Sequence, residues 1–250
     1  MNQPTDPSNP QPTPPAGAPI PPPPSPPSLP PNASLGLILD TLLKRPVLLI
    51  RELCDAQSSR HCVVLALLAV AGFALYGLVI GSFSGGPQWM AAPLKVSIGG
   101  LLSALICFPS LYIFACLAGA EVSFRALAGV LAAMLTLTGL LLLGFAPVAW
   151  VFSQSTESVA FIGTLHLVFW SIATWFGLRL FGHMTKALAV SDRAHLKVWT
   201  VIFVLVCLQM TTALRPIVGV SDHWLPTEKR FFMSHWGENL FRAGLPANAR

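Results

Sequence analysis

Apolar residues fall in five long blocks along this chain, at about 62–82, 94–118, 126–150, 159–181 and 197–215. A helix needs about 20 apolar residues to cross the roughly 30 Å hydrocarbon core of a bilayer. Each block therefore predicts one spanning helix. The fifth is the most polar, with Gln209, Thr211 and Thr212, yet it holds no charge from Val198 to Leu214. Upstream, residues 34–56 carry a different rhythm. Leu35, Ile38, Leu39, Leu42 and Leu43 recur at helical spacing, and Leu49, Ile50 and Leu53 continue the stripe. Asp40, Lys44, Arg51, Glu52 and Asp55 take the other side, which predicts an amphipathic helix too charged to span. Ser34 suits its N-cap, and Pro46 predicts a kink or a break into two short helices. Such a segment lies in the membrane interface or packs under the bundle. A second amphipathic pattern follows the last span. Phe231, Phe232, Trp236 and Leu240 recur beside Lys229, Arg230 and Arg242, predicting a second surface helix within 220–250.

Composition agrees with this pattern. Of 250 residues, 54% are hydrophobic and 10% charged, against about 25% charged in a soluble domain. The net charge of +5 is scattered without a Lys/Arg run, which argues against a nucleic-acid partner. The five cysteines show no CxxC spacing, and Cys107, Cys116 and Cys207 sit inside apolar runs, so neither a disulfide framework nor a zinc site is expected. Residues 1–33 hold most of the prolines, including "PPPPSPPSLPP", and read as a disordered polyproline II tail. That tail is a solvated spacer or a ligand for a proline-binding groove. It contains no Lys or Arg and no apolar run after Met1, so it does not read as a signal peptide.

Orientation follows from the basic residues between spans. Lys44, Arg45, Arg51 and Arg60 precede the first span, Arg125 follows the second, and Arg179, Lys186, Arg193 and Lys197 surround the gap after the fourth. The alternate connections, 83–93 and 151–158, hold no Lys or Arg. This pattern puts the N-terminus in the cytoplasm and, with an odd number of spans, the C-terminus outside. The Asn32-Ala33-Ser34 glycosylation sequon would then be on the cytoplasmic side.

The first span ends in "YGLVIGSFSGGPQW", Tyr76 to Trp89. Gly81 and Gly86 have the spacing of a phosphate-binding loop, but Pro87-Gln88 stand where that loop needs Lys and Ser/Thr, and the preceding run is a span rather than a strand. Gly77, Gly81 and Gly85 instead form a tandem GxxxG, which lets a neighbouring helix approach closely. The neighbour is another span of the same chain or a second copy. Gly85-Gly86-Pro87 then predicts a turn.

Ionisable groups at membrane depth are the candidates for function. Glu121 and Glu157 sit at span ends, and no carboxylate lies mid-span. The candidate polar set is Gln88, Lys95, His166, Gln209 and Arg215. Lys95 is a boundary anchor or a buried, paired cation. His166 has no partner at i±3 or i±4 for a metal and reads as a hydrogen bond between helices. Gln209 and Thr212 share a face, with Arg215-Pro216 closing the span. Pro109 and Pro147 predict kinks. No GxSxG, HExxH or paired carboxylate is present, so no catalytic residue, cofactor or metal site is predicted.

The segments "YGLVIGSFSGGPQWMAAPLK", "LICFPSLYIF" and "LQMTTALRPIVG" resemble a bacterial polytopic membrane-protein family of unassigned function. Tyr76, Gly77, Gly81, Gln88, Lys95, Pro109, Ser110, Tyr112, Gln209, Arg215 and Pro216 carry the match. The layout, a cytoplasmic tail, a "KRPVLLIREL" helix and five spans, is similar to the Yip family of integral membrane proteins. The resemblance implies five spans and no known catalysis.

The expected protein is all-α and polytopic: about five transmembrane helices within 57–219, with an interfacial amphipathic helix at each end. The expected function is a non-enzymatic scaffold or adaptor of the bacterial inner membrane. Its partners would be the lipid bilayer, proteins reached through the Pro-rich tail or interfacial helices, and a second copy of the chain. The alternative is a small-solute or ion transporter or channel using Lys95, His166, Gln209 and Arg215.

Overall fold

The structure is a computed structural model, and it describes residues 29, 30, 32–54, 59–84, 86, 88–120, 122–156, 158–188 and 194–213. Those residues form seven helices and no strand. The amphipathic segment is two helices, α1 (Leu35–Lys44) and α2 (Pro46–Cys54). Ser34 caps α1 by accepting the Leu37 N–H at 3.3 Å. The break falls at Arg45, and Pro46 takes the first position of α2, where its missing N–H costs nothing.

Five long helices follow: α3 (Ser59–Ser84), α4 (Gln88–Leu117), α5 (Phe124–Ser155), α6 (Val159–Ala187) and α7 (Ala194–Ala213). All five are long and apolar enough to cross a membrane. Most match the expected blocks within a few residues, but α4 begins six residues before the expected position 94. Pro93 removes only one backbone hydrogen bond, so the helix that starts at Gln88 runs through it. The expected connection of 83–93 thereby shrinks to 85–87, where Gly86 has φ 53°. Ser123 and Ser158 cap α5 and α6 by accepting the Ala126 and Phe161 N–H groups. Pro109 and Pro147 lie inside α4 and α5.

The helix α5 is the centre of the bundle. It packs along α3 and α6, while α3 also packs on α4, and α4 on α7. The peripheral α7 is mostly exposed or half-buried. Aromatic contacts bring it to α6: Trp199 lies between Phe181 (5.0 Å) and Phe203 (5.2 Å). The indole N–H of Trp199 donates to the Cys107 carbonyl of α4 at 2.9 Å.

Helices α1 and α2 pack on one end of this bundle, against α5 and α6. Ile38, Leu42, Leu49, Ile50 and Leu53 are buried there. The tail expected over 1–33 ends earlier than its composition implies. Leu29 and Ala33 are buried, the Leu29 N–H donates to the Glu52 carboxylate at 3.0 Å, and Arg60 donates to the Asn32 side-chain carbonyl at 2.7 Å. The residues before Leu29 lie outside the described part of the chain, as does the C-terminal amphipathic pattern of 226–242.

Candidate functional site

Close helix contacts are built on glycine. A Cβ on Gly77 would stand 2.5 Å from the Pro93 Cα and 3.1 Å from the Ala92 carbonyl, so α3 lies directly on the α4 backbone there. Gly81 is buried in the last turn of α3, and Gly85 lies outside the described residues. A second crossing holds α3 to α5: a Cβ on Gly72 would meet the Gly139 carbonyl carbon at 2.9 Å. A third sets Gly177 of α6 against the Thr138 hydroxyl of α5. The Thr136 hydroxyl lies 2.7 Å from the Leu65 carbonyl of α3 and 2.8 Å from its own Ala132 carbonyl, so its one proton is shared between two helices.

At the level of the Gly77 crossing, and nearer the 85–87 turn than the other two, a buried polar pair joins α3 to α6. The Tyr76 hydroxyl lies 2.7 Å from Nδ1 of His166, with the rings edge to face. Tyr76 is fully buried and His166 is 5% exposed. Either group can donate, depending on which imidazole nitrogen carries the proton. Nε2 of His166 has no hydrogen-bond partner among the described residues. One turn away from each, Phe73 and Trp170 stack at 5.6 Å. Below that stack is an interior space of about 20 Å³, room for one water. All five long helices contribute to its lining, which includes Phe73, Gly100, Met134, Trp170, Phe203 and Cys207. The walls are almost wholly apolar.

The candidate polar residues do not line that space. Lys95 is not at the start of its helix but two turns inside it, and it is 3% exposed. It is therefore buried rather than a snorkelling boundary anchor. Gln209 lies near the end of α7. Because Trp199 meets Cys107 and the Cys207 thiol lies beside Ser103, α4 and α7 run antiparallel, and Gln209 is within about two turns of the level of Lys95. Gln88 opens α4, and Arg215 lies outside the described residues. So the fold pairs His166 with Tyr76, which the sequence shows only as part of a glycine-rich motif. The available signal was a lone tyrosine in an apolar run with no polar neighbour one turn away. Gly72, Gly139 and Gly177 also escape sequence reasoning, because each is an isolated glycine without a GxxxG partner.

Among the described residues, no group of three His, Cys, Asp or Glu side chains could hold a metal. Among the described residues, the contact that sets a hydroxyl on an imidazole is Tyr76–His166, and it is buried between α3 and α6. What this geometry does chemically is to fasten helices together. No protein-family model, curated protein or solved structure matches the chain.

Proposed function

We propose that this chain is a non-enzymatic integral membrane scaffold or adaptor of the bacterial inner membrane. The carrying observation is that the described helices are fastened by backbone-close crossings around a small apolar space that the candidate polar residues do not line. Glycine crossings fasten α3 to α4, α3 to α5 and α5 to α6, and the interior space is about 20 Å³, too small for a solute. The groups a transporter would use, Lys95, His166 and Gln209, stand outside that space. A tightly fastened bundle with a long Pro-rich N-terminal segment suits a protein that holds partners at the membrane through that segment or its surface helices.

Two belts support the proposed placement in the bilayer. Arg60, Arg125, Arg179 and Lys197 lie toward the end that carries α1 and α2, and exposed Trp89 and Trp150 lie toward the other. Positions 125 and 150 of α5 are 25 residues apart, about 38 Å along a helix, which brackets a core of roughly 30 Å with its head groups. Basic residues favour the cytoplasmic side and tryptophans the interfaces, so α1, α2 and the N-terminus are proposed to be cytoplasmic. Reporter fusions after Met90, Ser155 and Val220 should all read outside. A cytoplasmic signal at Met90 or Ser155 would overturn the orientation.

Function is tested by crosslinking in intact membranes, followed by pull-down of the full chain in mild detergent. Specific proteins, or a second copy, should be captured, and capture should fall when residues 1–28 are removed. A monomer without specific partners, together with solute flux in proteoliposomes, would overturn the scaffold reading in favour of transport.

A further inference from the structure

Helices α1 and α2 carry more apolar surface than the bundle covers. One face is used: Ile38, Leu42, Leu49, Ile50 and Leu53 are buried. Beside it runs a second stripe at positions i, i+4 and i+8 of α1, in which Leu35 is 56% and Leu43 60% exposed while Leu39 is half-buried. Val47 of α2 is 47% exposed. Asp40 and Lys44, an ion pair at 2.5 Å, stand on the side of α1 away from the buried face.

Depth is the second observation. Leu53 sits on the backbone of Gly129, where an added Cβ would meet its Cδ2 at 2.8 Å. Gly129 is four residues, about 6 Å, further into the bundle than Arg125. Arg125 belongs to the basic belt, so the last turn of α2 lies beside the head-group level rather than beneath it, and α1 packs against both α2 and α5. An apolar stripe at that depth has acyl chains within reach. The charges fit as well. Counted by sequence over the segments that lead into and out of this end, the nine basic residues Lys44, Arg45, Arg51, Arg60, Arg125, Arg179, Lys186, Arg193 and Lys197 exceed the five acidic ones, Asp40, Glu52, Asp55, Glu121 and Asp192, by four.

We propose that α1 and α2 form a docking surface for the anionic phospholipids of the cytoplasmic leaflet. Leu35, Leu39, Leu43 and Val47 enter the boundary of the acyl chains, while Lys44, Arg45 and Arg51 meet the phosphates. Burial of the apolar stripe and attraction of the cations reinforce each other, as for amphipathic helices that lie in an interface. The binding therefore depends on lipid charge and weakens with salt. This docking rests on the orientation proposed above, which reporter fusions test separately.

The test uses the full chain with its five cysteines replaced, reconstituted in nanodiscs, with a spin label at Leu35→Cys, Asp40→Cys, Leu43→Cys or Val47→Cys. In discs rich in phosphatidylglycerol, labels at 35, 43 and 47 should be several-fold more accessible to oxygen than to a water-soluble nickel reagent, with the ratio reversed at 40. In phosphatidylcholine discs, or at high salt, the labels at 35 and 43 should move toward water. Equal water accessibility at 35, 40 and 43 would overturn the proposal, and so would indifference to lipid charge. Dipolar broadening between labels on separate copies would assign the surface to a second copy instead, and would equally overturn it.

Discussion

Replacing Gly77 by alanine puts a methyl group where α4 already has its backbone. The added Cβ would lie 2.5 Å from the Pro93 Cα, and ordinary contact begins at 3.4 Å. The obstacle is backbone, so no side-chain rotation relieves it. The two helices must separate by the difference, about 0.9 Å, or Gly77 must turn away from its neighbour. A gap of that size forfeits roughly a quarter to a half of the dispersion energy of each atom pair across it. Overpacking of this kind costs about 1–3 kcal/mol. Two other glycines supply the control. Gly144 in α5 and Gly182 in α6 have no atom within 4 Å of an added methyl, so alanine there meets open space. On helix propensity alone, alanine at those sites gains about 0.5–1 kcal/mol. The three variants therefore differ in sign, although the chemical change is the same. Heating in detergent, read by tryptophan fluorescence and by recovery of the monodisperse species, should rank Gly77→Ala below the wild type and the other two at or above it. Equal melting of Gly77→Ala and Gly144→Ala would refute the contact as drawn.

Three further outcomes follow from the packing. Tyr76→Phe and His166→Leu should each destabilise the bundle, and a double-mutant cycle should show coupling of about 0.6–1.7 kcal/mol, the range of hydrogen bonds between membrane helices; additive effects would remove the pair. Trp199→Phe keeps the ring between Phe181 and Phe203 but loses the donor to Cys107, costing about 0.5–1.5 kcal/mol. Trp199→Ala should cost about 3–5 kcal/mol on the same melting assay, and similar losses for both would refute the ring's packing role. Leu53→Ala opens a cavity over Gly129, and at about 2–5 kcal/mol it should free α1 and α2 for proteolysis before the bundle itself melts; unchanged cleavage would show that this contact does not hold them.

The number, order and rough limits of the long helices were legible because hydrophobic blocks of about 20 residues have few other uses. The break at Pro46 and the Ser34 cap were legible for local reasons: one residue lacks an N–H and the other offers a short acceptor. The start of α4 was not, because proline near a helix start removes a single hydrogen bond and leaves the helix intact. Contacts between helices were less legible still. Sequence spacing marked Gly77, yet it could not say that Pro93 lies opposite. Gly72 and Gly139 meet across 67 residues of chain, and nothing local to either marks the other. His166 stood out as a polar residue in a span, while Tyr76 did not, because a tyrosine passes as apolar in any hydropathy window. The choice between a boundary and a buried Lys95 stayed open in the sequence for a related reason. Its depth depends on where the helix begins, and the helix begins earlier than the apolar run.

The polar groups inside the bundle divide into those used up by packing and those that leave something over. Thr136, Thr138 and Trp199 donate to carbonyls and are satisfied at the helix contacts they hold. The Tyr76–His166 pair is different, since one hydrogen bond occupies Nδ1 while Nε2 is buried without a partner among the described residues. An imidazole used only as a fastening could be replaced by asparagine, whose side chain can also reach across to a tyrosine hydroxyl. His166→Asn is therefore the variant that separates fastening from chemistry. If the pair only holds α3 to α6, this variant should recover most of the melting temperature lost in His166→Leu and keep the crosslinking partners of the wild type. If it recovers the melting temperature but loses those partners, the second nitrogen has a role that packing does not supply.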